Sequence, residues 1–165
     1  TYGVRPVDLA AAYAIFPRGG FYTEPYLIRR VEIDGRTVFR RRPKSTRVLS
    51  TRTCNEITTS LREVVRVGTA SSYGGKQLAE SVPVAGKTGT SDEVCDAWFV
   101  GYSSTVTTVV WIGFSEGNRT ILEGETGGSL AFPVWKGIME NLPDEYDFEE
   151  LPELNSDGKT LAFRG

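Results

Sequence analysis

The 165-residue sequence has no histidine, two cysteines and one methionine. Without histidine, imidazole-based acid–base chemistry within the chain is excluded. Cys54 and Cys95 alone cannot complete a Cys/His zinc site, so no metal and no cofactor are expected. The two thiols can pair in an oxidising compartment, and their spacing does not decide whether they do. No apolar run reaches the ~18 residues needed to cross a bilayer. No leader-like segment opens the sequence, and its start at Thr1-Tyr2-Gly3 reads as the cut end of a longer chain. A net charge of −2 offers no general attraction to nucleic acid.

What is present suits one folded domain or a large piece of one. Apolar residues make up 39% and charged residues 24%, a balance that excludes a disordered chain. Charge is unevenly spread. Arg29, Arg30, Arg36, Arg40, Arg41, Arg42, Lys44 and Arg47 form a basic stretch, and Asp144, Glu145, Asp147, Glu149, Glu150 and Glu153 an acidic one. Two solvated faces are the plain reading; docking to a neighbouring domain or to an anionic polymer is the sharper one.

The periodicities predict helices over 6–16, 54–67 and 131–142. Pro6 and Asp8 suit a first helical turn, and Leu9, Ala12, Tyr13 and Phe16 share one face. Thr53 and Glu56 have capping-box spacing ahead of a stripe of Ile57, Leu61, Val64 and Val65. Phe132, Trp135, Ile138, Met139 and Leu142 form the stripe of the last helix. Asp34-Gly35 between two β-prone runs predicts a hairpin with strands at 26–33 and 36–42. Further strands are predicted at 82–90, 96–102 and 106–114, antiparallel because their links are short. The last of these, apolar or β-branched almost throughout, reads as a central strand. Gly127-Gly128 reads as backbone freedom ahead of the last helix. The fold class is α+β: an antiparallel sheet flanked by helices.

The chemically informative segment is Val84-Ala85-Gly86-Lys87-Thr88-Gly89-Thr90. On a strand, Lys87 and Gly89 point one way and Thr88 and Thr90 the other. A twist or bulge at Gly89 is therefore expected, to bring lysine and both hydroxyls to one ligand. Such a set suits an anionic, peptide-like ligand laid along a strand edge. Hydroxyls hold a carboxylate, lysine adds positive field, and backbone N–H groups stabilise an oxyanion. Gly86-Lys87-Thr88 also ends like a phosphate-binding loop. But Ser81 takes that loop's first glycine position, Pro83 lies inside it, and a strand follows instead of a helix.

Lys87-Thr88-Gly89-Thr90 followed by Asp96-Ala97-Trp98-Phe99-Val100-Gly101-Tyr102 resembles the active-site strand and next strand of class A penicillin-binding proteins, which share a Lys-Thr-Gly motif with serine β-lactamases. Pro6-Val7-Asp8-Leu9-Ala10-Ala11-Ala12-Tyr13-Ala14, Arg18-Gly19-Gly20 and Val67-Gly68-Thr69-Ala70 extend the resemblance over about residues 2–140, in family order. It implies that 1–142 is the C-terminal part of a transpeptidase domain and 143–165 an acidic extension. It implies peptidoglycan cross-linking through an acyl-serine, on stem peptides ending in D-Ala-D-Ala, with β-lactams acylating the same serine. By position, Lys87 is the strand lysine beside the nucleophile and Thr88 and Thr90 bind the carboxylate. Thr90 N–H is an oxyanion donor, and Gly89 lets the substrate backbone approach. The resemblance also implies a bacterial envelope location, on the outer face of the cytoplasmic membrane, and a parent protein with a membrane anchor and a glycosyltransferase domain.

The family's nucleophilic Ser-x-x-Lys should stand upstream of this strand at a helix start. The one match here, Ser156-Asp157-Gly158-Lys159, is downstream in a turn-like stretch and reads as chance. Thr53-Cys54-Asn55 matches the middle motif by pattern only and reads as a helix cap. The serine is thus expected in an upstream half of the same protein, leaving these residues inactive alone. The surface that half would cover should meet a second copy, a companion chain or a rearrangement. The alternatives are a β-lactamase or carboxypeptidase of the same fold and a non-catalytic interaction lobe.

Overall fold

In chain order the elements are α1 (Pro6–Tyr13), β1 (Phe21–Thr23), β2 (Arg30–Ile33), β3 (Arg36–Arg40), β4 (Ser45–Arg47), α2 (Thr51–Arg66), α3 (Gly75–Ser81), β5 (Ala85–Thr90), β6 (Asp96–Tyr102), β7 (Thr107–Gly113) and α4 (Ala131–Glu140). They are seen in a computed structural model that describes residues 3–116, 119–143, 145, 146 and 148–152. The Ser156–Lys159 match and Asp144, Asp147 and Glu153 lie outside the described residues.

β5, β6 and β7 form one antiparallel sheet in that order. Among the described residues β6 lies between β5 and β7, and β7, expected as a central strand, has β6 as its one strand neighbour. β7 is apolar on both faces because α1 and α4 both pack on it. Side chains divide by alternation. Phe99 meets Phe132 and Trp135 of α4, with ring centroids 4.9 and 4.7 Å apart, and Val65, Leu78, Val110 and Met139 fill the same cluster. On the other face Ala85 and Tyr102 gather Tyr13, Phe16 and Leu151.

Local chemistry sets the remaining bounds. α1 starts on Pro6 and ends at Tyr13, short of 16, because the N–H groups of Ile15 and Phe16 bond three residues back and Gly19 and Gly20 take φ of +62° and +99°. Ala12 is exposed, while Tyr13 and Phe16 still pack. The Asp34-Gly35 turn has positive φ at both positions, as a type I′ hairpin requires. Its strands are shorter than 26–33 and 36–42, and every residue in them is exposed, so no packing extends the ladder. The basic arginines of β2 and β3 face solvent. β1 pairs with β4, an element that sequence reading missed.

α2 starts earlier than 54. Ser50 Oγ, not Thr53, caps it by accepting from Thr53 N–H at 3.0 Å, and Glu56 pairs with Arg52 at 2.9 Å. A serine at this position satisfies one of the helix's orphan donors. Cys54 and Asn55 are therefore buried residues inside the helix, four and five positions past Ser50, rather than a cap. Cys54 and Cys95 are free thiols. Residues 75–81, unassigned in sequence, form α3, and β5 begins only at Ala85. Trp135 is fully buried, whereas Trp98 and Trp111 pack on each other on the opposite sheet face, 5.9 Å apart.

Candidate functional site

Among the described residues no strand lies beyond β5, so Lys87–Thr90 occupies a sheet edge. The β5–β6 register runs unbroken from Ala85↔Tyr102 to Thr90↔Ala97. The expected bulge at Gly89 is therefore absent. Lysine reaches the threonine side by length instead: Lys87 Nζ donates to Thr88 O at 3.0 Å and to Thr88 Oγ1 at 3.2 Å. Lys87 is exposed and, among the described residues, has no carboxylate partner.

Edge polarity follows from the ladder. Ser91 N–H donates inward to Asp96 O at 3.0 Å. Antiparallel strands alternate inward and outward residues, so the N–H groups of Thr90 and Thr88 point to the open edge. The outward Thr88 carbonyl that Lys87 reaches agrees with this alternation.

Two segments support the threonines from the helix side. Thr69, just after α2, places Oγ1 3.0 Å from Thr88 Oγ1. Gly127 N–H donates to Thr90 Oγ1 at 2.9 Å. The expectation of backbone freedom at Gly127-Gly128 is corrected: neither has positive φ. The requirement is close approach. A Cβ on Gly127 would lie 2.3 Å from Gly89 O and 2.5 Å from Trp98 O, and one on Gly128 would lie 2.9 Å from Thr69 O. The segment is locked by Thr126 N–H to Ser129 Oγ at 2.8 Å and by Gly127 O, which accepts from Ala131 and Phe132 at 3.0 Å each. Thr69 could have been singled out from the Val-Gly-Thr-Ala stretch; nothing local marks Gly127 as a partner of Thr90.

Asp96 serves the scaffold: its Oδ1 accepts from Trp111 Nε1 at 2.8 Å. Cys95 is half-buried beside Glu93 O. The turn between β5 and β6 holds Glu93 and Val94 at φ of 57° and 53°. Such values are uncommon for non-glycine residues. Ile121 N–H ties down Val94 O at 2.9 Å.

The α+β fold is shared with solved penicillin-binding proteins. The family model described as the penicillin binding protein transpeptidase domain matches residues 2–140. The chain belongs to that family. It is 33% identical to penicillin-binding protein 4 of Bacillus subtilis (strain 168) over 85% of this chain and 22% of that protein. It is 34% identical to penicillin-binding protein 1A of Aquifex aeolicus (strain VF5) over 93% and 21% respectively. The chain thus spans about a fifth of these curated relatives. Its fold is similar to penicillin-binding protein 1A of Haemophilus influenzae, with a TM-score of 0.78, 24% identity and coverage of 90% of this chain and 28% of that one. It also resembles penicillin-binding protein A of M. tuberculosis in its imipenem acyl-enzyme complex, with a TM-score of 0.61, 21% identity and coverage of 83% and 31%.

Proposed function

We propose that this chain supplies the substrate-binding wall of a serine D,D-transpeptidase that cross-links peptidoglycan stem peptides. The observation that carries the reading is the Lys87–Thr88–Thr90 edge, with hydroxyls backed by Thr69 and Gly127 and outward N–H groups. An extended peptide ending in D-Ala-D-Ala lies antiparallel along β5, taking main-chain bonds from the open edge. Thr88 and Thr90 donate to the terminal carboxylate, and the Lys87 ammonium adds attractive field. Thr90 N–H donates to the oxyanion formed when a serine attacks the penultimate carbonyl. The terminal D-Ala leaves, and an amine of a second stem resolves the acyl-enzyme. β-Lactams enter by the same contacts, a reading supported by membership of the penicillin-binding transpeptidase family.

The nucleophile comes from sequence upstream of these residues, which carry no Ser-x-x-Lys ahead of β5. The assembled protein works at the bacterial cell envelope, on the outer face of the membrane. Fluorescent-penicillin labelling with intact-mass readout tests the assignment. No adduct should form on this chain alone, and adding the upstream half should restore labelling on a serine outside the 165 residues. An adduct on Ser156, or on any serine here, overturns it.

A further inference from the structure

We propose that Gly127 is a positioning residue that fixes the Thr90 hydroxyl as a donor toward the ligand carboxylate. The inference rests on the functional reading above and adds to it what sets the hydroxyl's polarity.

A threonine hydroxyl has one proton and two acceptor lone pairs, and its proton turns to whatever acceptor is available. A carboxylate can only accept, so the hydroxyl serves it only with the proton facing outward. Gly127 N–H fills acceptor capacity of Thr90 Oγ1 from behind, at 2.9 Å. Among the described residues nothing accepts the Thr90 proton, and Thr90 is exposed. The proton is left for the ligand, and donation from the amide behind it polarises the O–H further.

The geometry depends on the missing side chain. Gly127 rests on the backbone of β5 and β6, where an added Cβ would meet two carbonyl oxygens at 2.3 and 2.5 Å. Neither carbonyl can rotate away as a side chain would, so alanine must lift the segment and take its N–H off Oγ1. The segment is preorganised: Thr126 and Ser129 brace it, and it runs into α4, whose Phe132 and Trp135 are wholly buried. A core helix thus sets the polarity of a hydroxyl at the sheet edge.

The test uses the complete transpeptidase and compares acylation by a penicillin with acylation by its carboxyl methyl ester. Gly127→Ala should slow acylation by the free acid about tenfold, the loss expected for one hydrogen bond to a charged group. Acylation by the ester should change less than about twofold on the same scale. Added to Thr90→Val, Gly127→Ala should cost nothing more, and Thr90→Ser should retain the discrimination. Equal losses for acid and ester, or a further loss in the Thr90→Val background, would overturn the proposal. Should Gly127→Ala fail to fold, replacing residue 127 by glycolic acid removes the N–H without adding an atom, and the same selective loss is required. If Thr90→Val itself leaves acid and ester unchanged, the carboxylate reading of Thr90 fails and this inference with it. If Thr90→Val abolishes discrimination and the residue-127 variants do not, only the inference fails.

Discussion

Thr58 and Tyr102 share a buried hydrogen bond, Oγ1 to Oη at 2.9 Å, that joins the middle of α2 to the end of β6. Neither group reaches water. Burial pushes the Tyr102 phenol well above its ordinary range, although the Thr58 bond pulls it down. In the unfolded chain the phenol ionises near ~10. Above that pH the unfolded state loses its proton first, so the native contribution is full below pH ~10 and falls as pH rises toward the folded value.

Tyr102→Phe should therefore do two things. It leaves the Thr58 hydroxyl buried and unpaired, at a cost of about 1–3 kcal/mol. It also removes one source of alkaline destabilisation. Urea denaturation at pH 7 and pH 11 should show a smaller alkaline loss in the variant than in the parent. Equal losses would mean that Tyr102 ionises alike in both states.

Gly101 and Gly137 should respond oppositely to alanine. A Cβ at Gly101 would lie 2.6 Å from Trp135 Cζ2 and 2.8 Å from Ala85 O. The ring is buried and the carbonyl is backbone, so neither yields easily, and Gly101→Ala should cost about 1–3 kcal/mol. At Gly137, inside α4, the added atom meets nothing within 4 Å. There Gly137→Ala should gain about 0.5–1 kcal/mol from helix propensity. Thermal melts of the two variants should move in opposite directions.

These contacts mark how far the sequence could be read. Turn chemistry made the Asp34-Gly35 hairpin legible, and periodicity made β6 and α4 legible, because each signal is local. The three-residue β1 and β4 were not, since their pairing joins distant segments that carry no pattern alone. The apolar run of β7 marks cover on both faces, which α1 and α4 supply, and does not by itself give the number of its strand neighbours. At the site, Lys87, Thr88, Gly89 and Thr90 could be singled out from their order. That Lys87 bends back to Thr88, and that Gly127 meets Thr90 across 37 positions, are tertiary facts.

The start of α2 offers a direct contest between a sequence pattern and an observed cap. Ser50 Oγ accepts from Thr53 N–H, whereas Glu56 is taken by Arg52. Ser50→Ala should cost about 1 kcal/mol. Glu56→Ala should remove only an exposed i,i+4 pair, about 0.3–0.5 kcal/mol. Chemical denaturation of both variants decides it. A larger loss for Glu56→Ala would restore the capping box that the spacing suggests.

Thr69 and Thr88 form the other supported hydroxyl of the site, and Lys87 limits how it can work. An ammonium only donates. Lys87 therefore occupies acceptor capacity of Thr88 Oγ1, at 3.2 Å. If Thr69 also donates to Thr88, the Thr88 proton is directed to the ligand. If Thr88 donates to Thr69, none remains. The carboxylate role proposed for Thr88 requires the first arrangement. In the complete transpeptidase, Thr69→Val should then slow acylation by a carboxylate-bearing penicillin about threefold to tenfold, from one weakened neutral contact. Thr88→Val should slow it more. The double variant should match Thr88→Val alone, because Thr69 acts through that hydroxyl. Thr69 is exposed. Its substitution should shift stability by no more than about 0.5 kcal/mol. Faster acylation by Thr69→Val would show that Thr69 accepts the Thr88 proton and withholds it from the ligand.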